Sequence, residues 1–350
     1  MAREYRGLTQ ADLAQRMRCQ QPKIAKIEAG FSDDVSNETL MLLSAALEFP
    51  GTFFCLPEQR IPFGSSAVYY RKKAKLSATD RKFIGALVNI LRINIKTLLD
   101  SVELDPARRL PSMTLEDHGN SPRNVAQALR SYWRIPDGPI KNVTRLIESS
   151  GVIIVPCDFR TRDMDATSVR TNDMPPLIFI NMDLPGDRWR FTLCHELAHI
   201  LLHEVPCESM EDEADEFAAE FLMPEVELKA QLLHMRPLRM RHLAELKSYW
   251  LVAMSALIVR AKELGVLDDQ SAKTLFVERA SLGGNQEFIK IQKEEPRNLA
   301  NMLLYHRQDM EFNSAELAGL LSVTPRELKS LLGVFDPAPQ PQKRTLRLVQ

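Results

Sequence analysis

The spacing of apolar residues predicts three short helices at the N-terminus of the chain. Apolar positions recur there at helical intervals, with one polar break between the first two helices. Thr9 is suited to cap a helix over Gln10–Arg18, and a second helix begins near Gln21 with a proline in its first turn. Gly30 ends that helix, and a third helix runs over about 37–47.

The rest of the chain is mostly helical, with one short β-rich interval. Apolar positions of helical spacing cover 77–99 and 125–133. Two β-branched runs bounded by glycine or proline, at 151–155 and 177–180, predict strands. After residue 188 the pattern returns to helix, so we expect an α+β protein that is mostly helical.

Composition and charge exclude several classes of protein. The 350 residues are 45% hydrophobic, and 45 basic residues face 46 acidic ones, so a uniformly basic, histone-like DNA binder is excluded. No apolar run reaches the roughly 18 residues that span a bilayer, and the N-terminus does not resemble a signal peptide. The five cysteines are scattered, which argues against a disulfide framework. We therefore expect a cytoplasmic protein.

The five residues from His195 to His199 form an HExxH motif. Two histidines four positions apart face the same side of a helix, so both imidazoles can reach one cation. Glu196 lies one step around the helix, where it can deprotonate a metal-bound water as general base. The alternative interpretation is a polar helix with surface histidines.

A metal centre of the hydrolase type needs a third protein ligand and an open position for water. Glu211 follows His199 by 12 residues, and it lies four positions before Asp215. We predict Glu211 as the ligand and Asp215 as acceptor of the second imidazole N–H of a ligand histidine. Glu213 is the competing ligand, and a solvated acidic helix face is the other alternative. We expect His203 to close the end of the HExxH helix rather than bind the metal.

Cys194 precedes the motif directly. Because adjacent helix residues diverge by about 100°, we expect it to pack in the core.

The motif and its surroundings resemble the ImmA/IrrE-type metallopeptidases. The resemblance is carried by Gly138-Pro139-Ile140, by Phe179-Ile180-Asn181, by PGDRWRFTLCHELAH from Pro185 to His199, and by ADEFAAEFLMP from Ala214 to Pro224. It implies a zincin fold, in which a small twisted sheet covers the HExxH helix and Glu211 is the third ligand. Members of this family act in bacteria and phages, and several cleave a helix-turn-helix repressor under stress. Where the family commonly has Asp-Gly, this chain has Asp165-Ala166, and Ala166 fits poorly if that turn needs positive φ.

The resemblance also implies a mechanism of metal-assisted peptide hydrolysis. Water on a metal held by His195, His199 and Glu211 has its pKa lowered toward ~7, and Glu196 moves the proton to the leaving amine. We expect a peptide to add as a strand alongside 177–180. One Zn²⁺ per chain is expected, although the donor set also suits Mn²⁺. The candidates for stabilising the oxyanion are His234, Arg190 and Tyr249.

The N-terminal segments Leu8–Ala14 and Ile24–Gly30 resemble an Xre/Cro-type helix-turn-helix. In such domains the second helix enters the major groove with its N-terminal residues on base edges. The residues expected to bind DNA are Gln20, Gln21 and Lys23 at the bases and Gln10 at the backbone. Only seven residues precede Leu8, so we expect a truncated first helix and a partly exposed core.

Residues 1–75 contain 11 basic and 8 acidic residues, a local net charge of +3. The basic cluster Arg71, Lys72, Lys73 and Lys75 either extends a phosphate-contacting face or begins a solvated helix.

Together these features predict four consecutive regions. They are an Xre/Cro-type helix-turn-helix with a truncated first helix at 1–60, a helical connector at 61–125, a zincin-like metallopeptidase domain at 126–235, and a helical, helix-turn-helix-like region at 236–350. The expected function is a zinc endopeptidase that cleaves a transcriptional repressor or antitoxin in a stress or mobile-element response. The alternative is a non-proteolytic DNA-binding regulator that uses the zincin domain as a sensor. Expected partners are DNA, the protein substrate and a second copy of the chain, with no membrane.

Overall fold

The structure is a computed structural model that describes residues 1–31, 35–57, 60–61, 76–205, 207–281 and 289–333. The basic cluster at 71–75 lies outside these residues. The described residues divide into two compact units. Among the described residues, the first unit contains those within 1–61, 78–103 and 297–333, and the second contains 76–77 and those within 104–296. The predicted regions at 61–125 and 236–350 therefore each contribute residues to both units.

The first unit begins with the predicted helix-turn-helix. Its helices are α1 (Ala2–Tyr5), α2 (Gln10–Arg16), α3 (Gln21–Glu28) and α4 (Asn37–Leu47), followed by a 3-10 turn at Gly51–Cys55. Thr9 caps α2 as predicted, because its hydroxyl accepts the N–H of Asp12 while the Asp12 carboxylate accepts the N–H of Thr9.

Helix α1 is only one turn long, but the expectation of an exposed core is wrong. Tyr5 is 4% exposed, and its ring stacks on that of Phe83 with centroids 5.6 Å apart. Phe83 belongs to α5 (Ala78–Leu99), a helix that is buried along most of its length. Helix α5 packs against α1 and supplies the apolar surface that the short first helix lacks.

Three further helices complete the first unit: α14 (Asn298–Gln308), α15 (Ser314–Leu320) and α16 (Pro325–Leu332). The last two are capped by Asn313 and Thr324. The buried carboxylate of Glu327 accepts a hydrogen bond of 2.6 Å from Arg6. The C-terminal helices therefore belong to the same unit as the N-terminal helix-turn-helix.

The second unit contains a three-stranded sheet. Its strands are β1 (Ile153–Cys157), β2 (Ala166–Thr171) and β3 (Met174–Asn181), in the order β1-β3-β2. Strand β1 pairs with β3 in parallel and β2 pairs with β3 antiparallel, so Ile178 lies opposite both Ile154 and Ser168. The two strands predicted from β-branched runs are confirmed. Strand β2 was not predicted, because its sequence ATSVRT has no apolar run.

The sheet topology corrects the expected position of a bound peptide. Strand β3 is central and is paired on both sides, so a peptide cannot add alongside 177–180. The edge strands are β1 and β2. Ala166 begins β2, lies opposite Ile180 and is not among the residues with positive φ, so alanine is compatible with its backbone.

The described part of this unit also contains eight helices. They are α6 (Pro122–Tyr132), α7 (Val143–Glu148), α8 (Gly186–Leu202), α9 (Met210–Leu222), α10 (Glu225–His234), α11 (Met240–Trp250), α12 (Met254–Glu263) and α13 (Asp269–Ser281), with a 3-10 turn at Glu116–His118. Helix α8 packs against β2, β3 and α9, which encloses it in the core. Within the described ranges, no helix is long and apolar enough to cross a membrane.

Helix α9 is tied to α12 by a buried ion pair. Glu220 and Arg260 are 0% and 1% exposed, and the Arg260 guanidinium donates to the Glu220 carboxylate. Glu220 also accepts hydrogen bonds from the Gln127 side chain and the N–H of Glu225. Removal of Glu220 would leave the buried Arg260 guanidinium with Glu263, whose side chain is 35% exposed, as its carboxylate partner among the described residues, so the single substitution is costly.

We predict that Glu220→Ala lowers the free energy of unfolding by about 3–5 kcal/mol. The matched control is Glu216→Ala on the same helix, which breaks a half-exposed pair with Arg123 and costs at most about 1 kcal/mol. Denaturant unfolding followed by tryptophan fluorescence is the measurement. The three tryptophans, at 133, 189 and 250, all lie in the second unit, so the signal reports on that unit. Equal losses in the two variants would contradict the role assigned to the buried pair.

Candidate metal centre

The HExxH motif lies within α8, and both of its histidines face the N-terminal turn of α9. Their Nε2 atoms are 3.0 Å apart. The Glu211 carboxylate lies beside them, with Oε2 3.6 Å from His195 Nε2 and Oε1 3.5 Å from His199 Nε2. One candidate ligand atom from each of the three residues therefore lies within 4.8 Å of the others. The structure brings together the three residues predicted as metal ligands.

Two buried oxygens in this centre have no hydrogen-bond partner in the described part of the chain. They are Oε1 of Glu211 and Oε2 of Glu196. Buried polar atoms are rarely left without partners, and those that are require a ligand, an ion or a water. Two imidazole nitrogens and a carboxylate aimed at one point match the donors that Zn²⁺ prefers, and they leave a fourth position open. The residues present fit a bound divalent cation.

The protonation of the centre leads to the same conclusion. Burial lowers the pKa of His195, but its interactions with Asp215 and Glu211 outweigh burial and raise that pKa to about 10. Burial raises the pKa of Glu211, but its interactions with the two imidazoles outweigh burial and bring the pKa well below its usual range. Both shifts show that the space between these residues favours positive charge.

The second ring nitrogen of each histidine also has a partner. His195 Nδ1 lies 2.8 Å from Asp215 Oδ1, the contact predicted for Asp215. His199 Nδ1 lies 2.9 Å from Nδ1 of His203. His203 follows α8 directly, and its backbone N–H bonds to the carbonyl of His199, so it closes the helix as predicted. Its contact with the His199 ring was not anticipated.

Glu213, the competing ligand in the sequence analysis, lies away from the three converging residues. Its Oε2 is 2.9 Å from His203 Nε2. Together with Cys207, these two side chains form a second group of metal-binding atoms within 4.8 Å of one another. Cys194 is fully buried in the core, as predicted, and burial raises the pKa of its thiol.

Comparison with known protein families finds a match in each of two regions of the chain. The profile of the IrrE N-terminal-like domain, of the Peptidase_M78 family, matches residues 147–262. A helix-turn-helix profile matches residues 1–54. The chain joins a helix-turn-helix domain to an IrrE-like peptidase domain. These two matches confirm the resemblance found in the sequence. A comparison with curated proteins found no match to this chain.

Within the IrrE-like domain, one oxyanion candidate is already engaged elsewhere. Arg190 is 1% exposed, forms an ion pair with Glu294 and donates to the carbonyl of Ile140. Its guanidinium therefore serves the packing of α8 rather than a substrate. His234, at the end of α10, and Tyr249, in α11, stay predictions.

The helix-turn-helix domain holds two of its predicted DNA-binding residues in a chain of hydrogen bonds. Gln21 Nε2 donates to Gln10 Oε1 at 2.7 Å, and Gln10 Nε2 donates to Glu28 Oε2 at 2.7 Å. Arg3 donates twice to the same glutamate, at 2.7 and 2.9 Å. This support joins residues far apart in sequence, so no local pattern could have indicated it. The other two predicted residues, Gln20 and Lys23, are exposed at the start of α3.

We predict that Glu211→Gln loses the zinc that the wild type retains, because the substitution removes the anionic ligand while preserving shape. The measurement is zinc per chain by elemental analysis after dialysis, with about one expected in the wild type. Asp212→Asn is the matched control, since it removes the exposed neighbouring charge on the same helix. Equal zinc retention by Glu211→Gln and the wild type would exclude Glu211 as a ligand.

Proposed function

We propose that this protein is a zinc-dependent endopeptidase that carries a DNA-binding module and cleaves a transcriptional repressor or an antitoxin. The observation that carries the proposal is the convergence of two imidazoles and one carboxylate, together with the buried Glu196, whose Oε2 has no partner among the described residues. The match to the IrrE-like peptidase domain supports it. A bacterial or phage stress or mobile-element response is the expected setting.

The metal would be held by His195, His199 and Glu211. A bound Zn²⁺ supplies Lewis acidity toward water and toward the scissile carbonyl, and Mn²⁺ suits the same donors. Asp215 orients the His195 ring, because its carboxylate accepts the Nδ1–H of His195 and so leaves Nε2 of that ring free to bind the metal.

Glu196 is the general base and acid of the proposed reaction. Glu196 is the residue after His195 on α8 and is 1% exposed. Its Oε2 has no partner among the residues described. It takes a proton from the attacking water and returns that proton to the amine of the leaving fragment.

The substrate is proposed to bind as an extended peptide along β2. Strand β2 (Ala166–Thr171) is an edge strand, and it packs against the helix that carries the motif. A peptide paired with this edge would gain backbone hydrogen bonds that depend little on its side chains. This edge takes the place of the 177–180 strand that the sequence indicated.

The N-terminal domain is proposed to bind DNA through α3. Gln20, Gln21 and Lys23 are exposed at the start of α3 and are proposed to contact the bases, and Gln10, at the start of the preceding helix, is proposed to contact the backbone. Glutamine can pair with adenine through two hydrogen bonds, and lysine can reach guanine or a phosphate. The Glu28–Gln10–Gln21 chain pre-orients the two amides for such contacts.

We predict that Glu196→Gln abolishes cleavage and retains zinc, because the amide keeps its shape but cannot accept the proton from water. The measurement is labelling of new protein N-termini after zinc-loaded protein is added to a cell lysate. Asp212→Asn is the control variant and should produce the same new termini as the wild type.

Two outcomes would contradict this proposal in different ways. Termini that persist with Glu196→Gln would exclude Glu196 as general base. Their absence in the wild type, together with salt-dependent DNA binding, would instead support a non-proteolytic regulator whose IrrE-like domain is a sensor. A sensor needs the ligands but has no chemical use for Glu196.

We predict that Lys23→Ala weakens binding to the DNA upstream of this gene and reduces the slope of log K against log salt by about 1, if the ammonium contacts a phosphate. Fluorescence anisotropy at several salt concentrations is the measurement. Lys262→Ala, an exposed lysine of the other unit, is the control and should leave the slope unchanged. An unchanged slope in Lys23→Ala would remove that residue from the DNA contact.

A further inference from the structure

A line of hydrogen-bonding side chains leads from His199 away from the proposed metal. His199 Nε2 faces His195 and Glu211, while its Nδ1 lies 2.9 Å from His203 Nδ1. His203 Nε2 in turn lies 2.9 Å from Glu213 Oε2. The His199 and His203 side chains are 1% and 2% exposed, so water does not compete freely for these contacts.

When both imidazole rings are neutral and His199 binds a metal, the ring protons can be arranged in only one way. A neutral imidazole carries one N–H, so a ring that binds through Nε2 carries its proton on Nδ1. That proton can only be donated to His203 Nδ1, which must then be an acceptor. His203 consequently carries its own proton on Nε2 and donates it to the Glu213 carboxylate.

We infer that His203 and Glu213 are positioning residues that fix His199 in the tautomer and orientation that bind the metal. The inference rests on the metal centre of the proposed function. Partners of this kind hold the ring in place and raise the basicity of the ligand nitrogen. Glu213, the alternative ligand predicted from the sequence, acts on His199 only through its contact with His203.

The two ligand histidines are held in different ways. Asp215 contacts His195 directly, but its side chain is 58% exposed and therefore strongly solvated. His199 is held by a buried imidazole whose far side is fixed by a carboxylate that is 20% exposed. Because water can replace Asp215 more easily than it can replace His203, loss of His203 has the larger effect on metal affinity.

The neighbouring Cys207 raises a competing use for the same side chains as a second metal site. A cation on His203 Nε2 would move the ring proton to Nδ1, where it would meet the Nδ1–H of a metal-bound His199 at 2.9 Å. Metal in the two groups is therefore mutually unfavourable. The contacts observed favour the positioning role, in which Cys207 takes no part.

The test is the zinc affinity of the full chain, measured by competition with a chromophoric chelator. We expect His203→Leu to weaken zinc binding by about 10–100-fold, the range found for loss of outer partners of metal ligands. His203→Asn should recover most of the affinity, because its Oδ1 can accept the His199 Nδ1–H. Adding Glu213→Gln to His203→Leu should cause little further loss, since the two residues act in series.

Cys207→Ser and Asp212→Asn are the controls and should bind zinc like the wild type. Histidine ¹⁵N spectra of the zinc-loaded protein give a second readout, with the His199 proton expected on Nδ1 in the wild type. Unfolding of the metal-free variants, followed by tryptophan fluorescence, shows whether each is folded before its affinity is compared.

Each outcome decides a different point. An affinity of a folded His203→Leu equal to that of the wild type would overturn the inference and leave the metal centre intact. A second zinc equivalent that disappears in Cys207→Ser would replace the inference with a second metal site. Absence of zinc binding in the wild type would overturn the proposed metal centre and the inference with it.

Discussion

The candidate metal centre of the IrrE-like domain is governed by one electrostatic constraint. His195, His199 and Glu211 converge in a largely buried space, and the raised pKa of His195 and the lowered pKa of Glu211 show that this space favours positive charge. A divalent cation would supply that charge and would also engage the unpartnered oxygen of Glu211. The packing of α8 against α9 brings these groups within a few ångströms of one another.

The packing around the two helices fixes this geometry. Asp187, in the first turn of α8, accepts a hydrogen bond from the fully buried Lys247 of α11. Glu220, near the end of α9, pairs with Arg260 of α12. Each helix that carries proposed ligands is thus anchored by a buried charge pair at some distance from the candidate metal centre. Such pairs contribute geometric specificity more readily than net stability, because burial of both charges is costly.

Local patterns account for what the sequence could predict. The period of the apolar residues located the helices, and the spacing of His195 and His199 placed both rings on one face. The features that the sequence did not predict depend on contacts between residues distant in sequence. Strand β2 has no apolar run and becomes a strand only by pairing with β3. Helix α5 completes the N-terminal core because it packs on α1, and Glu213 reaches His203 only because α9 packs against α8.

The central claim is that one metal ion binds between α8 and α9 through His195, His199 and Glu211. X-ray anomalous scattering from crystals of the zinc-loaded protein, recorded on both sides of the zinc edge, tests it most directly. We predict a single anomalous peak per chain, about 2.0–2.2 Å from Nε2 of His195, from Nε2 of His199 and from a Glu211 oxygen. A peak centred instead on His203, Cys207 and Glu213, or no peak in this domain, would contradict it.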